Sequence, residues 1–290
     1  MFEKTWNPHM LTLGIITRNS VKRNGEELLR LIIHRACVEL PVSHIIVSDA
    51  ESSDGTVNVI VDEAGRHNVP TTVITDHVHS RAWARSQVLL KYINEDDNGL
   101  FMFLDDDAFL RRGWWSETRR LLESGCDAVW GINHDAYGGK RELLNVFGID
   151  PVEYAVYAFA KRGGTHDLLM TRSAAVKLSK VLPVPTFLHT YEDAYIIHAL
   201  SRVAKVCINK IGIIHIAKNS SGGLLTHDPT LLLRKLTELP RVRYASLYLN
   251  GSEFEIFRER GINVKATKNP LILMYAVVLK LYSHALTLFA

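Results

Sequence analysis

Apolar runs and polar breaks alternate along the first half of the chain. Leu11 to Thr17 (LTLGIIT) is a short apolar run that stops at the polar Arg18-Asn19-Ser20, and helix-favouring residues follow from Glu26 to Leu40. His44 to Ser48 is a second β-branched run, ending in Asp49, and the turn chemistry of AESSDGT leads from it into another helical stretch. Val69 to Thr75 predicts a third strand, Arg81 to Ile93 a helix, and Leu100 to Leu104 (LFMFL) a fully buried strand that runs into three aspartates. Strands alternating with helices imply an α/β fold, with a mainly parallel sheet and helices on both faces. In such sheets ligands bind beyond the carboxyl ends of the strands. The residues placed there are Thr17 to Asn19, Asp49 and Asp105 to Asp107.

The second half is more mixed. Trp114 to Ser124 predicts a helix, Ala128 to Ile132 a strand, Thr190 to Val203 a helix capped by Thr190, and Lys210 to Ile216 a last strand. The expected organisation is one main domain over 1–225, divided into halves 1–125 and 126–225. A helical extension over 226–290 follows. Within that extension, Leu271 to Ala290 is largely apolar and about as long as a bilayer is thick, but Lys280 lies near its centre. Lys280, His284 and Thr287 form a polar stripe, which suits a helix lying on a membrane surface or packed on the domain. Arg258, Arg260, Lys265 and Lys268 lead into it and would favour an anionic surface.

Composition narrows the picture. In 290 residues, 34 Lys and Arg against 31 Asp and Glu leave +3, too mild a charge to argue for nucleic acid. Cys37, Cys126 and Cys207 are odd in number and widely separated, so neither a disulfide framework nor a zinc site is expected, and a reducing compartment fits. The first ten residues carry charges and Pro8 in place of an apolar run, so no secretory signal is read there. The catalytic part is expected in the cytoplasm, peripheral on a membrane if the terminal helix engages one.

Asp105, Asp106 and Asp107 follow a buried strand directly, and Asp105 and Asp107 share a side of an extended segment. Carboxylates crowded at the mouth of a parallel sheet call for a hard divalent cation such as Mg²⁺ or Mn²⁺, which combines one or two protein carboxylates with phosphate oxygens. Farther on, Glu192 and Asp193 stand at a predicted helix start, where a carboxylate can take a proton from an attacking hydroxyl.

These motifs carry a resemblance. LTLGIITRN, HIIVSDAESSDGT, and RAWARSQVLLKYI followed by LFMFLDDDAFLRRGWW resemble, in order and spacing, the donor half of family-two GT-A glycosyltransferases. GGTHDLLMTRSAAVKL and TYEDAYIIHAL are similar to the family's acceptor segment and Glu-Asp motif. The resemblance implies a Rossmann-like GT-A fold and transfer of a sugar from a UDP- or GDP-linked donor with Mn²⁺ or Mg²⁺. It implies that Asp107 ligates the metal and that Asp105 and Asp106 hold the ribose or metal-bound water. Arg85, Thr17 and Asn19 would line the nucleotide pocket, and Asp49 would approach the base. Asp193 would be the general base, with Glu192 positioning the acceptor. A C-terminal histidine would complete the metal site; His215 is the first choice, His227 competes, and His166 and His189 stand behind them. Ala50 replaces an aspartate common in the family and leaves uridine against guanosine open. The acceptor, whether glycan, lipid-linked or protein-linked, is not specified. A retaining enzyme, or a domain that only binds a sugar nucleotide, are the rival readings. Trp115 could stack on a sugar face, although core packing is the commoner fate of such a residue.

Overall fold

The computed structural model describes residues 7–133, 164–180, 182–184 and 192–215. His189, Thr190, Gly222-Gly223, His227 and the terminal stretch 271–290 lie outside the described residues, as does the 226–290 extension. No described helix is long and apolar enough to cross a membrane.

The strands are β1 (Asn7–Thr17), β2 (Val42–Asp49), β3 (Thr71–Thr75), β4 (Asn98–Asp105), β5 (Ala108–Leu110), β6 (Ala128–Asn133), β7 (Leu169–Thr171) and β8 (Val206–His215). The helices are α1 (Ser20–Asn24), α2 (Glu26–Glu39), α3 (Thr56–Arg66), α4 (Arg81–Glu95), α5 (Trp114–Glu123), α6 (Arg172–Ser179) and α7 (Glu192–Ser201). All the described strands join one sheet in the order β3-β2-β1-β4-β7-β6-β8-β5. The half containing β3, β2, β1 and β4 is parallel throughout. In the other half β6 and β8 run parallel, while β7 pairs antiparallel with β4 and β6, and β5 antiparallel with β8.

Alternation of side chains about β4 explains the two-sided packing. Phe101 and Phe103 enter a core closed by α4, α6 and α7, while Leu100, Met102 and Leu104 enter the opposite core, closed by α2, α3 and α5. Full burial of each such side chain stabilises by roughly 1.5–3 kcal/mol. Gly14 of β1 admits this packing: a Cβ there would lie 2.5 Å from both Phe101 Cζ and Val88 Cγ1. Gly55, at φ 84°, makes the left-handed turn that starts α3.

Three expectations change. The local pattern predicts neither β5 nor β7, nor α6, while β8 begins at Val206, ahead of the predicted Lys210. The reading of the cysteines is also corrected, because Cys126 and Cys207 form a disulfide and Cys37 alone is free. The sequence separation of 81 hid the pair. Parallel pairing of β6 with β8 sets Val129 opposite Cys207 and so draws the Cys126 end of β6 alongside. A reducing compartment, inferred from unpaired thiols, loses its premise.

Candidate active site at the carboxyl edge of the sheet

Register brings the chemistry together. Thr17 pairs with Asp49, Asp49 with Thr75, and Ile16 with Asp105, so the parallel strands end along one edge. The loops leaving that edge are stapled to one another. Asn19 sits in left-handed backbone at φ 49°. Its N–H donates to Ser52 Oγ at 2.8 Å, and its side-chain oxygen accepts the Ser53 N–H at 3.0 Å. Asp49 in turn accepts the Ser52 hydroxyl and N–H. Below them Asp54 accepts from the Lys22 N–H and the Thr56 hydroxyl; burial opposes its ionisation, but these donors hold its carboxyl below the ordinary value.

The three aspartates occupy different environments. Arg85 Nη2 of α4 donates to Asp105 Oδ1 at 2.8 Å. Asp106 accepts the Thr17 hydroxyl at 2.6 Å and Arg23 Nη2 at 2.9 and 2.7 Å. Burial pushes the Asp106 carboxyl up, with Arg23 pulling against it and Asp107 adding to the rise. Asp107 is 9% exposed and precedes Ala108, whose register partner across the β5–β8 ladder is His215. The backbone therefore brings the sequence positions Asp107 and His215 to one place from 108 residues apart in the chain. The Asp107 carboxylate, beside two carboxylates already paired with arginines, is the kind of oxygen donor that suits Mn²⁺ or Mg²⁺ completed by phosphate oxygens.

Glu192 and Asp193 open α7 beside this edge. Arg85 Nε lies 3.7 Å from Glu192 Oε1. Glu192 is 3% exposed; burial first and the neighbouring Asp193 charge second push its carboxyl up to about 7, against the pull of Arg85 and Arg81. Among the described residues, Arg85 Nη1 and Glu192 Oε2 are buried and have no hydrogen-bond partner. Such atoms are costly unless a ligand or water meets them.

The placement differs from expectation at several positions. Arg85, which the resemblance places along the nucleotide pocket, is 3% exposed and joins Asp105 to Glu192. Asp106 has both oxygens engaged by protein. Arg23, from the short α1, was missed: Arg18 to Asn24 contains three basic residues, and only the fold picks one out. Asp167 was also missed. It is fully buried, accepts the Trp114 indole N–H at 2.8 Å and the Gly131 N–H at 2.9 Å, and lies below the aspartate edge. His166 Nε2 is 3.0 Å from the Gly131 carbonyl, and the His166 carbonyl accepts the Asp105 N–H at 2.9 Å. His166 thus props the acidic edge from beneath. Trp115 packs against the core on the α2 side.

A mainly parallel sheet ending in an acidic edge, continued by a mixed half that carries Glu192 and Asp193, is the architecture of GT-A glycosyltransferases. The model of glycosyl transferase family 2 matches residues 12–171, more than half of the 290-residue sequence. The chain belongs to glycosyl transferase family 2. None of the curated proteins matches the sequence. Among solved structures, S. aureus TarS is 12% identical over 89% of this chain and 46% of its own, with a TM-score of 0.52. TarS 1-349 in complex with UDP is 15% identical over 72% of this chain and 58% of its own, at 0.48. Glucosyl-3-phosphoglycerate synthase from Mycobacterium tuberculosis, solved with Mn²⁺, UDP and phosphoglyceric acid, is 13% identical over 73% of this chain and 72% of its own, also at 0.48. The chain thus spans less than two thirds of the length of either TarS structure. At these identities the likeness is one of fold.

Proposed function

We propose that the chain transfers a sugar from a nucleotide-diphosphate sugar to an acceptor hydroxyl, with inversion at the anomeric carbon. The observation that carries this reading is the line Asp105–Arg85–Glu192, which ties the donor edge of the sheet to the start of α7. It sets an acidic nucleotide-binding edge and a pair of carboxylates on one framework, as an in-line displacement requires.

In this mechanism Asn19, Thr17 and Asp49 shape the nucleotide pocket through the stapled loops. Asp107 and His215 would hold a divalent ion, whose positive charge would offset that developing on the departing diphosphate. Asp193 takes the proton of the acceptor hydroxyl as its oxygen bonds to the anomeric carbon and the bond from that carbon to the diphosphate oxygen breaks. The nucleoside diphosphate leaves with the electron pair. Glu192 positions the acceptor, and Arg85 orients Asp105 and Glu192. The donor half is 1–125 and the acceptor half 126–225. The 226–290 extension is proposed to meet an anionic membrane surface.

The test is a screen of UDP- and GDP-sugars for Mn²⁺-dependent stabilisation and slow hydrolysis, followed by anomeric analysis of the product. A ligand that binds only the native state must raise its stability. A product that keeps the donor's anomeric configuration overturns the inverting mechanism.

A further inference from the structure

Away from the acidic edge, α2 and α3 pack side by side and present a second cluster of metal-ligating side chains. His34 projects from α2, and Glu63 and His67 from α3, one turn apart. His67 caps the C-terminal end of α3, before the chain enters β3. Strand β3 therefore starts near this cluster and finishes at the nucleotide edge, which puts the two sites at opposite ends of the sheet.

The three ligand atoms lie close enough to share one ion, and the two imidazoles are hydrogen-bonded to each other. His34 Nδ1 and His67 Nε2 are 3.0 Å apart, and Glu63 Oε1 lies 3.6 Å from the first and 3.7 Å from the second. Bonds of about 2.0–2.2 Å in a tetrahedral zinc site put ligand atoms roughly 3.3 Å from one another. The two carboxylate distances exceed a hydrogen bond, so Oε1 is aimed between the imidazoles without bonding either. The other oxygen, Oε2, is engaged elsewhere: it accepts Arg66 Nη1 at 3.0 Å, with Arg30 Nη1 3.7 Å away. That arrangement fixes the Glu63 carboxylate as outer partners fix a metal ligand. Glu63 is 5% exposed whereas His34 is exposed, so the site has a rigid buried floor and an open side for a water ligand.

We propose that His34, Glu63 and His67 bind a divalent transition metal, Zn²⁺ by preference, which clips α2 to α3. Two imidazoles and one carboxylate select a borderline ion over Mg²⁺, which takes oxygen ligands in an octahedron. The clip is structural and independent of sugar transfer, since it lies between α2 and α3 at the end of the strands opposite the acidic edge.

Zn²⁺ titration followed by calorimetry, with excess Mg²⁺ present to occupy hard-oxygen sites, tests this. The wild-type chain, the double variant His34→Gln/His67→Gln and the single variant Glu63→Gln are compared, each first shown to be folded by circular dichroism. The expected result is one Zn²⁺ site in the wild type that is absent from the double variant and weakened by at least about tenfold in Glu63→Gln. Zn²⁺ should also raise the melting temperature of the wild type and leave that of the double variant unchanged. Co²⁺ in place of Zn²⁺ should give the visible absorption of a tetrahedral ion in the wild type only. Equal stoichiometry and affinity in the wild type and the double variant, or no Zn²⁺ bound by the wild type under these conditions, overturns the proposal.

Discussion

Arg85 donates a 2.8 Å hydrogen bond to Asp105, joining the first turns of α4 to the last residue of β4. The guanidinium is buried, while Asp105 is partly open, at 24% side-chain exposure. A buried cation of this kind draws its stability from its carboxylates, and they from it. Arg85→Met is expected to destabilise the protein by on the order of 3 kcal/mol, because it leaves Glu192 and Asp105 without their counter-charge. Urea unfolding measures it. Arg85→Lys keeps the charge but not the fork, and should recover stability more fully than transfer activity. Equal recovery of both would remove Arg85 from any positioning role.

Glu192 gives a pH signature. Burial and the neighbouring Asp193 raise its carboxyl from 4.5 to about 7 in the folded chain. Between those values the folded state keeps a proton that the unfolded state has lost, so stability falls as pH rises across that window and levels off above it. In the proposed mechanism Glu192 positions the acceptor, so its ionisation should give the transfer rate an inflection near pH 7. Glu192→Gln should flatten both profiles. A rate profile unchanged in Glu192→Gln assigns the inflection to another group.

The acidic edge sets the metal prediction. Asp107→Ala should abolish divalent-cation-dependent donor binding, and His215→Ala should weaken it less, measured by donor-induced shifts in melting temperature with and without Mn²⁺. The residual binding in Asp107→Ala should no longer respond to Mn²⁺. If His227→Ala proves the damaging histidine change, the β5–β8 register is not what completes the site.

Much of the frame was legible because β1, β2 and β4 are buried on both faces, and continuous apolar runs announce such strands. The aspartates stood out because three carboxylates directly follow a buried run, whereas the Glu-Asp pair, ordinary at a helix start, stood out only through its resemblance to the family's motif. β5 and β7 are three residues each and owe their existence to pairing with β8 and with β4 and β6, so no local pattern marks them. The same holds for Arg23. Its neighbours Arg18 and Lys22 are basic too, and it is the 2.7 Å contact with Asp106 that distinguishes it. Arg85 was found, but a helix pattern cannot say how deep an arginine lies. The His34–Glu63–His67 cluster escaped because its members come from two helices, and only the packing of α2 on α3 brings His34 to the other two.

Asp193→Asn separates chemistry from binding. The amide keeps the size of the carboxylate and much of its hydrogen bonding but cannot accept a proton at neutral pH. Asp193 also acts on Arg85 and Glu192 through its charge, so the substitution should lower the Glu192 carboxyl from about 7 by removing a like charge. The fold should survive, since Asp193 is half-buried at the helix start, and donor affinity should be close to that of the wild type. Loss of general-base assistance costs a factor of roughly a hundred to ten thousand, so kcat should fall by that much with the KM for the donor little changed. Donor hydrolysis by water should fall alongside transfer, because water too must lose a proton as it attacks. Steady-state rates with the donor found by the UDP and GDP screen measure both. Transfer by Asp193→Asn at close to the wild-type rate would show that another group takes the acceptor proton, and would return Glu192 as the first residue to test in that role.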